Sequence, residues 1–157
     1  MTLIFSFKKT YLVQDSIENV HAEIKSILRL PWYDYSENIT GKLYDDGSFR
    51  FWPKWTFASL NVIGFPKNLA YLTCTLKEVD SKTFIQTIAR PNYGMVSAFY
   101  LMIILLLAKL TGINTFFDVS FEKMAVVFLI MGIVLAALMV MGAVSLRNRF
   151  ERLMQLR

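Results

Sequence analysis

The chain has 157 residues, 55% of them hydrophobic, and a formal net charge of +5. That length holds one small domain and little else. The charge is unevenly placed: residues 1–92 carry 11 Lys/Arg against 9 Asp/Glu, a balance of +2, and the excess sits after Leu146, where Arg147, Arg149, Arg152 and Arg157 face only Glu151. A basic excess confined to one end does not give the cationic folded face of a nucleic-acid-binding protein, so no nucleic-acid partner is expected.

The N-terminal stretch "MTLIFSFKKTYLVQDS" alternates Leu3, Phe5, Phe7, Tyr11 and Val13 with polar residues, which predicts a strand over 3–13. Its lysines follow the apolar start, and it lacks an unbroken apolar core and a small-residue cleavage site. It does not read as a signal peptide, and the domain it opens is expected to stay in the cytoplasm. "QDSIENVHAEIKSILRLP" predicts a helix capped by Asp15 or Ser16 and stopped by Pro31, with Ile17, Val20, Ile24, Ile27 and Leu28 as its apolar stripe.

The clearest turn signal follows, in "ENITGKLYDDGSFRFWPKWTF". A two-residue Asp46-Gly47 turn would set Lys42 against Phe51. A three-residue loop, Asp45-Asp46-Gly47, pairs Leu43 with Phe49 and Gly41 with Phe51 and gives Gly47 the left-handed position. The second register keeps Ile39, Leu43, Phe49, Phe51, Trp55 and Phe57 on one face and is preferred. After an apolar loop, "ASLNVIGFPKN", a second hairpin turns at Asp80-Ser81 and pairs Leu76 with Ile85 and Cys74 with Thr87. The fold class expected is α+β: a small antiparallel sheet of about five strands with one helix, over residues 1–91, joined without a linker to a two-helix transmembrane hairpin.

The hairpin occupies 92–146. A bilayer core of ~30 Å needs about 20 apolar residues, and two stretches qualify, about 93–113 and 124–146. Arg90 precedes the first and the arginines of a basic cytoplasmic tail, 147–157, follow the second. The loop between them nearly cancels its charges (Asp118, Glu122, Lys123), so both termini are expected in the cytoplasm. Lys109 lies 16 residues after Tyr93, about 24 Å along the axis, near the outer rim rather than the bilayer centre. There its stem can reach the headgroups. Trp52, Lys54, Phe116, Phe117, Arg147 and Arg149 complete the expected membrane-interface set. Ala125, Gly132, Ala136 and Ala143, spaced 7, 4 and 7, share one face of the second span and form its expected helix-packing surface.

Chemistry-bearing residues are sparse. His21, the single histidine, has no second histidine to form a zinc pair. Cys74, the single cysteine, falls mid-strand on the predicted core face, where a thiol is inert, and permits no intrachain disulfide. Asp45 and Asp46 are accounted for by the turn, and "NIT" at Asn38 is a chance match in a cytoplasmic domain. No catalytic group, metal ligand or cofactor-binding residue is expected. The aromatic run "FRFWPKWTF" places Trp52 beside Arg50 and Lys54 on the face away from the core, which suits a membrane interface or a partner.

The strand over 3–13, "DSIENVHAEIKSIL" and the antiparallel meander after it resemble the start of helix-grip, START-like ligand-binding domains, over residues 3–90. That resemblance implies a sheet able to hold lipid or another apolar ligand under a long C-terminal helix, whose place falls at the first span. The layout is also similar to small bacterial membrane proteins with an N-terminal α+β domain and a C-terminal two-helix hairpin, which implies the bacterial inner (plasma) membrane. The leading functional expectation is a non-enzymatic multi-pass protein whose membrane-apposed domain is an interaction or regulatory module. Membrane lipids and another membrane protein, or a second copy, are its expected partners. The alternatives are an apolar-ligand binder and a small oligomeric pore or toxin/immunity-related membrane protein.

Overall fold

The computed structural model describes residues 5–31, 33, 37–55, 68–80, 82–112 and 120–156. Its elements are β1 (Phe7–Val13), α1 (Ile17–Leu28), β2 (Thr40–Leu43), β3 (Phe49–Trp52), β4 (Ala70–Val79), β5 (Lys82–Pro91), α2 (Tyr93–Leu110) and α3 (Phe121–Leu153). The strands form one antiparallel sheet in the order β1-β5-β4-β3-β2, so the first and last strands in the chain lie side by side. The architecture is α+β, with two further long apolar helices.

Local chemistry explains the element ends. Ser16 caps α1, its Oγ accepting from Asn19 N at 3.3 Å, while Asp15 Oδ1 accepts from Ser16 N at 2.8 Å and Asn19 Nδ2 at 2.7 Å. The β2–β3 hairpin adopts the three-residue loop: Leu43 pairs with Phe49, Gly41 with Phe51, and Gly47 takes φ 74°. Asp46 Oδ1 accepts from Ser48 N at 2.9 Å and Ser48 Oγ at 2.6 Å, and these bonds hold its carboxyl below the usual carboxylate range. In the second hairpin Leu76 faces Ile85 and Cys74 faces Thr87, with Asp80 at φ 52° in the turn.

One face of the sheet is the core. Ile39, Phe49, Phe51, Leu72, Cys74, Ile85 and Ala89 are fully buried there under Val20, Ile24 and Ile27 of α1. The rest of the cover comes from the end of α3. Ala143, Leu146, Phe150 and Met154 belong to the same cluster, and the Phe150 ring lies 5.1 Å from that of Phe51.

Three sequence expectations need revision here. Residues 147–153 are not a separate tail: α3 runs unbroken from Phe121 to Leu153, and its basic turns pack on the sheet. The apolar face of the second hairpin strand does not reach Trp55, which is 58% exposed. β3 ends at Trp52 because Pro53 has no N–H to continue the ladder, and the alternation ends with it. Trp55 is instead held by Asn38, whose side chain bonds both its N and its O at 2.8 Å. The first strand begins at Phe7 among the described residues. Leu3, Phe57, the loop 60–65, Phe116, Phe117 and Asp118 lie outside them.

α2 and α3 are each long and apolar enough to cross a membrane, and little of either is buried. They pack against each other, and both are fastened to one corner of the sheet, where Ala70 pairs with Pro91. Asn92 caps α2, its Oδ1 accepting from Gly94 N at 2.8 Å, while its Nδ2 donates to Asn68 O at 2.7 Å and its backbone N–H to Leu69 O at 2.9 Å. At the same corner, a Cβ on Gly142 of α3 would lie 3.5 Å from Leu69 Cβ and 3.7 Å from Ala70 Cβ. From Phe121 to Gly142 α3 rises about 32 Å, and from Gly142 to Met154 about 18 Å more across the sheet.

Candidate functional site

Three places gather the residues singled out above. The first is the seam between α2 and α3. Ala125, Gly132 and Ala136 line an apolar groove of about 470 Å³ opposite Phe99, Met102 and Leu106. The helices do not close tightly there: a Cβ on Gly132 would meet only Phe99 Cε2, at 3.8 Å. Ala143, the fourth small residue, is separated from them by function, since it packs into the sheet core. Lys109 lies in the last turn of α2 and is half-buried.

The second place joins α3 to the sheet. The Glu151 carboxylate accepts from the Tyr11 hydroxyl in a short hydrogen bond and from Lys9 Nζ at 3.1 Å, and Arg147 Nε stands 3.3 Å away. Burial raises the Glu151 carboxyl, but the bonds from Tyr11 and Lys9 outweigh it and hold the group below its usual range. Tyr11 moves the opposite way, raised by burial and then by the adjoining carboxylate. Arg149 Nη1 donates to Asn38 O at 3.3 Å and Arg152 Nη2 to Glu37 at 2.6 Å. Arg147 and Arg149, expected at the membrane interface, are thus engaged with the folded domain. Lys54 likewise donates to Pro31 O at 2.6 Å.

The third place is a cleft of about 400 Å³ on the sheet's outer face, lined by Tyr44, Arg50, Trp52, Tyr71, Arg90 and Tyr93, with Asn68 and Asn92 at its edge. Register assembles it. Arg50 and Trp52 alternate outward from β3, and Tyr71 on β4 pairs with Arg90 on β5. Two arginine–tyrosine couples fix its cations: Arg50 lies 4.5 Å over the Tyr44 ring with Nη1 donating to its hydroxyl at 3.4 Å, and Arg90 lies 4.7 Å over Tyr93 with a short bond to its hydroxyl. The Nε atoms of both arginines are buried without a hydrogen-bond partner among the described residues. An unmet buried donor ordinarily costs about 1–3 kcal/mol. None of the described lining residues is acidic.

Other candidates have bland surroundings. His21 stands edge-on to Phe49 at 5.1 Å. The Cys74 thiol is fully buried, and burial pushes it up to about 12, so it is a poor nucleophile at neutral pH. Among the described residues no group of three or more His, Cys, Asp or Glu is placed to hold a metal ion. Sequence reasoning found Trp52 and Arg50 but missed Tyr44, Tyr71, Arg90 and Tyr93 as their companions. The Tyr71–Arg90 pair was implicit in the register of the second hairpin. The core face of the sheet, where a helix-grip domain would hold its ligand, is occupied by α1 and the last turns of α3. No family model, curated protein or solved structure gives a significant match to this chain.

Proposed function

We propose that the chain is a non-enzymatic multi-pass protein of the bacterial inner (plasma) membrane, with both termini in the cytoplasm, whose α+β domain is an interaction or regulatory module held against the bilayer. The carrying observation is the outer surface of the helix pair. Leu107 and Leu110 on α2 and Val126, Leu129, Ile133 and Met141 on α3 are each more than half exposed. In water these six side chains alone would forgo roughly 5–10 kcal/mol of burial, and a continuous apolar surface of this kind marks contact with lipid or protein. A core helix of a soluble protein would be mostly covered, whereas the apolar windows of α2 and α3 are 6% and 11% buried. The groove at Ala125, Gly132 and Ala136 supports contact with a further helix, from a second copy or another membrane protein.

Cysteine accessibility tests the topology. Ser120 and Asn148 are both exposed, and Cys74 is buried, so it does not compete for reagent. Ser120→Cys should label from outside intact cells, and Asn148→Cys only after permeabilisation. Release of the protein by alkaline carbonate would overturn the membrane reading, and the reverse labelling would overturn its orientation. Co-purification in mild detergent tests the module; a strictly monomeric protein without a companion would count against it.

A further inference from the structure

The outward face of the sheet carries charge of one sign. Strand alternation places Lys8 on β1, Lys42 on β2, Arg50 on β3, Lys77 on β4, and Lys82 and Arg90 on β5 on the side away from α1 and α3. No Asp or Glu of the five strands shares that side: Glu78, their one acidic residue, has the opposite parity. Most of these cations are spread singly. Arg50 and Arg90 are different, because both line the one cleft and each is held by an aromatic ring.

We infer that this cleft binds a phosphate group, seated between the guanidiniums of Arg50 and Arg90 at the start of α2. Each guanidinium has five N–H donors in a rigid fork suited to phosphate oxygens, and each uses one Nη on a tyrosine hydroxyl. Stacking on Tyr44 and Tyr93 fixes the forks before any ligand arrives, which lowers the ordering cost of binding. None of the described lining residues is an anion that would compete, and Asp46, a carboxylate that Arg50's charge lowers, is already bonded to Ser48. α2 begins at the cleft with no acidic residue in its first turn, so its positive dipole end favours the same anion. The cleft's volume lies within the ~300–1,000 Å³ usual for small-ligand sites.

An anionic phospholipid headgroup and a soluble phosphate ester share this chemistry. The lipid source rests on the membrane reading above, since only then is the start of α2 at headgroup level, with Trp52 and Tyr93 beside it as interfacial aromatics. The phosphate site itself does not depend on that reading.

The full-length protein in mild detergent is titrated with phosphatidylglycerol and, separately, phosphatidylcholine, and bound lipid is counted by native mass spectrometry. Phosphatidylglycerol should be retained in preference, and Arg50→Gln and Arg90→Gln should each weaken it by roughly tenfold or more, as expected for a lost charged hydrogen bond. Arg→Lys at either position should recover only part of that loss, because lysine keeps the charge without the fork. Lys77→Gln and Lys82→Gln, at the far end of the same face, should change retention by less than about twofold. Glycerol phosphate in the wild-type protein separates the sources: saturable quenching of tryptophan fluorescence with displacement of lipid identifies a phosphate-ester site, and retained lipid without displacement identifies the bilayer as the source. Binding of glycerol phosphate by a protein that carbonate releases from membranes would end the membrane reading and leave the cleft intact. Equal losses in the Arg50, Lys77 and Lys82 variants would overturn the cleft in favour of diffuse attraction. Displacement by polyglutamate as effective as by glycerol phosphate would overturn it in favour of an acidic protein partner.

Discussion

Phe150→Ala asks whether the last turns of α3 belong to the folded domain. Phe150 is fully buried, and its ring meets that of Phe51 at 5.1 Å on the sheet's core face. Removing a buried phenyl ring ordinarily costs about 3–5 kcal/mol, from lost transfer energy and the cavity left behind. A small domain has about 5–15 kcal/mol in total, so a loss of this size takes a large share. With a urea slope near 2 kcal/mol per molar, the unfolding midpoint should fall by roughly 2 M. Near-ultraviolet circular dichroism in mild detergent follows the aromatic packing of the sheet directly. Arg152→Ala is the reference change: its pair with Glu37 is close, at 2.6 Å, but the arginine side chain is 65% exposed. Exposed pairs contribute about 0–1 kcal/mol. Equal midpoints for the two variants would refute the view that the basic end of α3 completes the core.

Two further outcomes follow from the geometry. Gly41→Ala should destabilise the domain by about 1–3 kcal/mol in the same titration, because a Cβ there would stand 2.4 Å from Arg50 O and 2.9 Å from Phe51 Cδ1. The obstacle at 2.4 Å is backbone, which cannot rotate aside. The Glu151 carboxyl is held below its usual range in the fold, so its contribution is complete above the unfolded value of about 4.3 and is lost as pH falls through the lowered folded value. The wild-type midpoint should therefore decline as pH drops below about 4.3, and Glu151→Gln should flatten that decline. A pH profile unchanged by the substitution would mean that another carboxylate governs it.

Sequence reasoning reached furthest where the physics is local. The "DDG" loop and the alternation flanking it fixed the β2–β3 register, because a one-residue slip would have turned Phe49 and Phe51 outward. The cap at Ser16 and the stripe Val20, Ile24, Ile27 were likewise written within a few residues of one another. Pairing of β1 with β5 was not, since it joins strands separated by most of the domain and depends on closing that long loop. The end of α3 is hard to read in the sequence for a different reason. Its arginines broke the apolar run, but Leu146, Phe150 and Met154 recur every four residues, the spacing of one buried helical face. Charge density masked an amphipathic helix. The cleft was half legible: Trp52 and Arg50 are neighbours in sequence, while Tyr44 and Tyr93 reach them only through folding.

The attachment of α3 accounts for the missing linker between sheet and helix pair. Sharp kinks in helices trace to proline, to glycine and serine pairs or to bulges. α3 contains no proline, and its glycines, Gly132 and Gly142, stand apart. Its two ends serve different surroundings along one continuous axis: exposed apolar side chains up to Met141, then Ala143, Leu146 and Phe150 locked into the core. Gly142 marks the change, lying against Leu69 and Ala70, where a Cβ would already stand at van der Waals contact. α2 leaves the sheet at the same corner through Asn92. With both helices fastened at one corner and α3 held again about 14 Å further on by Tyr11 and Glu151, the sheet has no hinge about which to turn. In the membrane reading this fixes the height of the sheet's cationic face above the bilayer, and puts Arg50 and Arg90 beside the point where the first helix enters it.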